Sequence, residues 1–149
     1  MIFERGVSIG WALPPISRQM SLRQFQERHP LLYGEGIWPD RNIHSDPEAA
    51  KQEGLSEPVA SAPTIFALVT RAMAGCFGRG WFEGGRMSVK MVRPVLAHNF
   101  LTAKGVLAAK EPAGAAVRYI FDVWVENEVR TKVVIGTASA LVPVAVDQG

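Results

Sequence analysis

One cysteine, Cys76, is all the sulfur chemistry the chain could devote to cross-links, so no intramolecular disulfide can form and a thiolate zinc cluster is excluded. Histidine is almost as scarce, with three residues, and no stretch reaches the about 18 consecutive apolar residues that a membrane span requires. Basic and acidic residues number 16 and 14 and are intermixed, which leaves a formal charge of +2 and no basic stripe to track phosphates along a nucleic acid. Residues 1–11 place Glu4 and Arg5 among apolar residues and lack the uninterrupted apolar core and small-residue cleavage site of a signal peptide. The expectation is a soluble, cytoplasmic protein with no membrane and no nucleic-acid partner.

What is present is enough for one core. A chain of 149 residues that is 48% hydrophobic and 20% charged lies in the ordinary globular range, and residues 1–149 read as a single domain. Pro14 and Pro15 keep the first stretch out of helix, so it reads as an arm or edge segment. Ser21 with Gln24 has capping-box spacing before a helix carrying Leu22 and Phe25, which His29-Pro30 is expected to stop. Residues 31–42 hold Gly34, Gly36 and Pro39 without a period and read as loop. Ser45-Asp46-Pro47-Glu48 predicts a short helix ended by Gly54: Asp46 can cap it and Pro47 suits its first position.

Pro63 marks another helix start, and Thr64 to Phe77 is apolar nearly all round, interrupted by Thr70 and Arg71. A helix of that kind in a soluble domain must be enclosed, and a sheet curled around it is the economical enclosure. The remaining chain alternates at period two: Met87, Val89 and Met91, then Val117, Tyr119, Phe121, Val123 and Val125. With 100–109 and 132–144, also rich in β-formers, this predicts four strands after the buried helix. Turns are expected at Pro112-Ala113-Gly114 and Asn127-Glu128, and Gly105 and Gly136 are candidate bulges or bends. The fold class is α+β, a long central apolar helix wrapped by a curved antiparallel sheet.

The residue setting most suited to chemistry is Asp40-Arg41-Asn42-Ile43-His44-Ser45-Asp46, where an imidazole, two carboxylates and an amide gather at a helix entrance. The bland reading competes with it, because Asp46-Pro47-Glu48 is fully explained as helix capping. Trp38, Trp81 and Trp124 could line a pocket or pack a core or interface. Arg79, Arg86 and Arg93 could meet phosphates or simply be solvated. Cys76, in the apolar helix without a basic neighbour, reads as a buried inert thiol. His98 reads as a surface turn residue and His29 as a helix-end residue.

Asn42-Ile43-His44-Ser45-Asp46-Pro47-Glu48-Ala49-Ala50, then Gly54-Leu55, then Pro58-Val59-Ala60-Ser61-Ala62 opening a long helix, resembles the MaoC-like dehydratase or (R)-specific enoyl-CoA hydratase family. Arg93-Pro94-Val95 extends the likeness, which spans about residues 14–143. The resemblance implies a hot-dog fold, homodimers or tandem pairs, of which a homodimer is expected here, and hydration of 2-enoyl thioesters, or dehydration of 3-hydroxyacyl thioesters, of coenzyme A or acyl carrier protein. It implies no metal and no redox cofactor. By its motif Asp-x-Asn-Pro-(Ile/Leu)-His, His44 and Asp40 are the implied acid/base pair, and Asn42, nearest the motif's proline, is counted with the implied substrate-binding residues. Ser61, Ala62 and Thr64 fall at the implied oxyanion site, where Ala62 or Thr64 would supply the N–H because Pro63 has none. The sequence departs from the pattern where Asp40 lies four residues before His44 instead of five, where the motif's proline is missing, and where Ala62 replaces glycine. A non-catalytic acyl-thioester-binding subunit and a hot-dog thioesterase are the alternatives, and the second lacks the helix carboxylate it would need.

Overall fold

The computed structural model describes residues 6–33 and 41–144, the side chains of 29–33 excepted. Strand β1 (Ile16–Gln19) leads into helix α1 (Leu22–Tyr33); α2 (Pro47–Gln52) and the long α3 (Ala62–Phe77) follow, then the short α4 (Arg79–Gly84). Four strands complete the chain: β2 (Arg86–Met91), β3 (Phe100–Ala113), β4 (Ala116–Glu126) and β5 (Lys132–Pro143). They form one antiparallel sheet in the order β1-β3-β4-β5-β2. No helix among the described residues is long and apolar enough to cross a membrane.

The period-two reading of β4 holds over its middle, where Tyr119, Phe121, Val123 and Val125 are buried and Asp122 between them is exposed, while Val117 is half-buried and Glu126 at the strand's end is buried as well. Tyr119, Phe121, Val123 and Val125 meet Ile65, Leu68, Val69, Ala72 and Met73 of α3 in one apolar core. Phe121 anchors it, edge-on to Phe77 at 5.5 Å and to Trp11 at 6.2 Å between ring centroids. Helix α3 is covered on that face only; Arg71 and Gly75 on its other side are exposed.

Four local expectations change. Helix α1 does not stop at His29-Pro30 but continues to Tyr33, because a proline in the last turn removes a single intrahelical donor. Helix α3 begins at Ala62, which puts Pro63 at the second helical position instead of the first. The register shift in β3 falls between Leu107 and Ala109, not at Gly105, and the β3–β4 turn is Gly114-Ala115, with Gly114 in the left-handed region at φ 64°. Pro112 and Ala113 stay paired in the ladder, opposite Val117 and Ala116. Gly136 lies where β5 passes β2 so closely that a Cβ would strike the Ser88 carbonyl oxygen, which accounts for its missing side chain.

Candidate active site at the entrance to the central helix

The loop carrying His44 is built from its own polar groups. Asn42 Oδ1 accepts the His44 backbone N–H at 2.8 Å, and the Asn42 carbonyl accepts Ser45 N–H and Asp46 N–H at 3.1 and 2.9 Å. The Ser45 hydroxyl accepts the Asn42 N–H at 3.2 Å, closing the turn. Asn42, expected near the substrate, is buried and acts here as the loop's organiser.

Asp46 caps α2, as its position predicts: Oδ1 accepts the N–H groups of Glu48 and Ala49 at 2.8 and 3.1 Å. Arg41 pairs with its other oxygen. The Arg41 guanidinium and these amides hold the Asp46 carboxyl below the usual aspartate range, so it is an ionised cap and a poor proton carrier. Helix α2 closes in a Schellman turn, in which Leu55 N–H reaches the Ala50 carbonyl at 2.9 Å, Gly54 N–H reaches Lys51 at 2.9 Å, and Gly54 is left-handed at φ 78°.

The segment after α2 brings the imidazole to the central helix. Val59 N–H donates to the Ile43 carbonyl at 3.0 Å, and His44 Nδ1 lies 2.8 Å from the Val59 carbonyl oxygen. A carbonyl only accepts, so Nδ1 carries the proton in the neutral ring and Nε2 carries the lone pair. Ala60 N–H bonds the Val95 carbonyl at 2.8 Å and Ala97 N–H bonds Pro58 at 3.1 Å, so residues 58–60 are laced to the turn before β3. His98 closes that lacing: its Nδ1 and backbone N–H meet Glu57 Oε1 at 2.6 and 3.1 Å. It remains a largely exposed turn residue, as read from the sequence.

The same segment runs directly into α3. Ser61 precedes the helix in extended conformation (φ −72°, ψ 150°), and its hydroxyl lies 3.1 Å from Thr64 Oγ1 in a buried pair. Thr64 N–H donates to the Ser61 carbonyl at 3.1 Å, and Pro63 has no N–H. Of the two donors expected here, the Ala62 N–H, at the first helical position, has no intrahelical acceptor. No acidic residue lies in the first turn of α3, so nothing there offsets the partial positive charge of the helix end.

The structure thus ties His44 to Val59, three residues before Ala62, with Asn42 organising the His44 loop and Ser61 paired with Thr64 at the helix start. Asp40 and Trp38 lie outside the described residues. Trp124 sits on the outer sheet face with its ring N–H on Glu126 at 3.0 Å, and Trp81 packs in α4, so neither belongs to this site. The Val59 carbonyl is the His44 partner that sequence reading missed, since no residue type marks a backbone acceptor. Cys76 is buried, which pushes its thiol pKa up. A cleft of about 490 Å³ lined by Phe77, Gly80, Ala116, Leu141 and Pro143 lies at the opposite end of α3. No group of three or more metal-ligating side chains that could hold a metal ion occurs among the described residues.

No protein-family model and no curated protein matches the sequence. Solved structures do match the fold. A MaoC-like dehydratase from Rhodospirillum rubrum superposes with a TM-score of 0.75 at 15% identity, covering 98% of this chain and 99% of that one. An R-hydratase from Pseudomonas aeruginosa gives 0.72 at 18% identity, over 95% and 89% of the two chains. A 3R-hydroxyacyl-ACP dehydratase complex from Mycobacterium tuberculosis gives 0.65 at 18% identity, over 91% and 97%. The chain has the hot-dog fold that these proteins share.

Proposed function

We propose that the protein is a hydratase or dehydratase acting on thioester-linked 2-enoyl or 3-hydroxyacyl groups. The observation that carries this reading is that one short segment, 59–62, touches the His44 ring and leads into the first turn of α3. Its Val59 carbonyl sets the His44 tautomer, and its Ala62 N–H opens the central helix. The hot-dog fold shared with an R-hydratase and a hydroxyacyl-ACP dehydratase supports it.

In the hydration direction His44 Nε2 takes a proton from water as the water oxygen bonds to the β-carbon. The electron pair of the double bond moves toward the thioester carbonyl, whose oxygen takes on enolate charge beside the Ala62 N–H and the positive end of α3. Return of a proton to the α-carbon completes the addition of H and OH. Asp40 is the proposed carboxylate of the acid/base pair, holding the same water and sharing with His44 the proton that leaves it. Asp46 is already committed to its cap and to Arg41. A thioesterase reading is disfavoured because α3 carries no Asp or Glu to activate water against the carbonyl.

A second copy of the chain is the proposed partner. Strand β2 is an edge of the sheet, its residues Arg86 to Ser88 are exposed, and an edge in this state can pair with its own copy across a two-fold axis. A monomer in sedimentation at micromolar concentration would contradict this. The reaction itself is tested by supplying a short 2-enoyl-CoA in ¹⁸O-water. The reading requires labelled 3-hydroxyacyl-CoA, whereas labelled free acid would mean thioester hydrolysis instead.

A further inference from the structure

The backbone of residues 58–60 faces two ways. Pro58 and Ala60 bond the turn before β3, with Ala97 N–H donating to the Pro58 carbonyl at 3.1 Å and Ala60 N–H to the Val95 carbonyl at 2.8 Å. Val59, between them, turns to the His44 loop: its N–H reaches the Ile43 carbonyl at 3.0 Å, and its carbonyl oxygen lies 2.8 Å from His44 Nδ1. The imidazole is therefore held by a strip of chain that is pinned from its other side. At the Ala60 end of that strip Ala60 and Val95 are both buried. At the Pro58 end the proline has no N–H with which to complete a pair with Ala97.

Side chains close that end instead. Glu57 Oε1 accepts the His98 backbone N–H at 3.1 Å and lies 2.6 Å from His98 Nδ1, so one carboxylate oxygen hooks both groups of the same residue. A carboxylate only accepts, which makes Nδ1 the donor. The turn that carries His98 is held on its own account. Buried Asn99 accepts the Leu96 N–H at 2.8 Å and donates from Nδ2 to both oxygens of Glu128 at 3.0 and 3.2 Å, and Gln19 Nε2 donates to the His98 carbonyl at 2.9 Å. Glu128 Oε1 also lies 3.9 Å from His98 Nε2. The hook thus joins segment 57–60 to a turn anchored in β1 and in the β4–β5 connection.

We infer that Glu57 and His98 are positioning residues for His44: their contact holds segment 58–60 where the Val59 carbonyl orients the imidazole. The inference rests on the hydratase reading above for its kinetic consequence and on these contacts alone for its structural one. Both side chains act through the backbone of 58–60. They are partly exposed, His98 at 61% and Glu57 at 31%, and pairs so exposed contribute little to folding. Orientation is more sensitive, because a displacement of about 1 Å in a reacting group can cost about 100-fold in rate. Loss of the hook should therefore disturb the His44 ring and the rate while the fold persists.

The test combines ¹⁵N spectra of the His44 ring, recorded near pH 8.5 where an ordinary imidazole is neutral, with hydration kinetics on a short 2-enoyl-CoA. The chain has three histidines, so the His44 signals are assigned by their loss in His44→Ala. The variants are Glu57→Ala, His98→Ala, the two combined, His98→Asn and, as a control, Glu83→Ala, which breaks an exposed pair with Arg79 beyond the far end of α3. Wild type should show a protonated Nδ1 and a bare Nε2. Each alanine variant at 57 or 98 should move the ring toward a mixture of tautomers and lower kcat about 10-fold, with KM changed less than about 2-fold and circular dichroism unchanged. The combined variant should be no worse than either alone, because both break one link. His98→Asn puts an amide N–H where Nδ1 stands and should restore both readouts, and Glu83→Ala should move neither. Folded alanine variants with a wild-type ring would overturn the inference, as would a tautomer shift that leaves kcat unchanged in an active protein, or an asparagine variant as impaired as alanine. Alanine variants that lose the fold would make the contact structural and overturn it as well. Tautomer shifts in a protein that turns over no enoyl thioester would keep the positioning and remove the hydratase reading. An active protein whose His44 ring is unmoved in the variants would do the reverse.

Discussion

The Nδ1 of His44 lies 2.8 Å from the carbonyl oxygen of Val59, in the segment that opens α3. This contact ties an imidazole from one loop to the helix end that would hold the developing negative charge. The proposed base and the proposed oxyanion donor are thereby linked before substrate arrives, which is where orientation contributes to rate.

The oxyanion assignment makes Ala62→Pro informative. Proline suits a first helical position, and Ser61 already has the extended backbone that precedes proline, so the change deletes the N–H with little effect on the helix. Turnover should fall by about 100-fold or more, the usual effect of losing one oxyanion donor, while circular dichroism is unchanged. Ala62→Gly, which keeps the N–H, should retain activity. Equal activity in the proline variant would exclude this donor.

The two carboxylates flanking His44 should separate cleanly. Asp46→Asn keeps a good cap and should leave the rate nearly intact, since both oxygens of Asp46 are occupied by Arg41 and by α2 amides. Asp40→Asn should cripple turnover while sparing ligand binding, because an amide cannot take a proton. A dead Asp46 variant beside an active Asp40 variant would move the carboxylate's role downstream of His44.

Asp46 also predicts how α2 responds to acid. Its carboxyl is held below its ordinary value, chiefly by Arg41 and then by the α2 amides. The cap's contribution is therefore complete above the unfolded aspartate pKa of about 3.9 and is lost as pH falls through the lower folded value. Amide resonances of Glu48 and Ala49 should stay constant down to that range and shift below it. A transition at or above the ordinary aspartate value would show that the carboxylate is not held this way.

Much of the architecture was readable because its signals are local. The inward series Tyr119 to Val125, the Asp46 cap and the Gly54 stop each follow from a few neighbouring residues, and the apolar α3 required a covering sheet. What could not be read depends on distant chain. Residues Ile16–Gln19 carried no local signal after the arm or edge segment that ends at Pro14-Pro15, and only pairing with 100–103 makes them a strand. Pro30 marked a boundary by local rule, yet the last turn of α1 tolerates it. In the site, His44, Ala62 and the Ser61–Thr64 pair could be named from residue types and a family likeness. The Val59 carbonyl could not, since a backbone acceptor has no sequence signature.

The central claim, that His44 carries acid/base chemistry on an enoyl thioester, is tested most directly by comparing wild type and His44→Ala in hydration of a short 2-enoyl-CoA, followed by loss of the conjugated thioester absorbance. Wild type should turn the substrate over, and the variant should lose about 100-fold or more in rate, the scale of general acid/base catalysis, while keeping its folded circular dichroism and melting transition. A wild type inactive on every enoyl thioester, or a His44→Ala variant that is folded and fully active, would contradict the account.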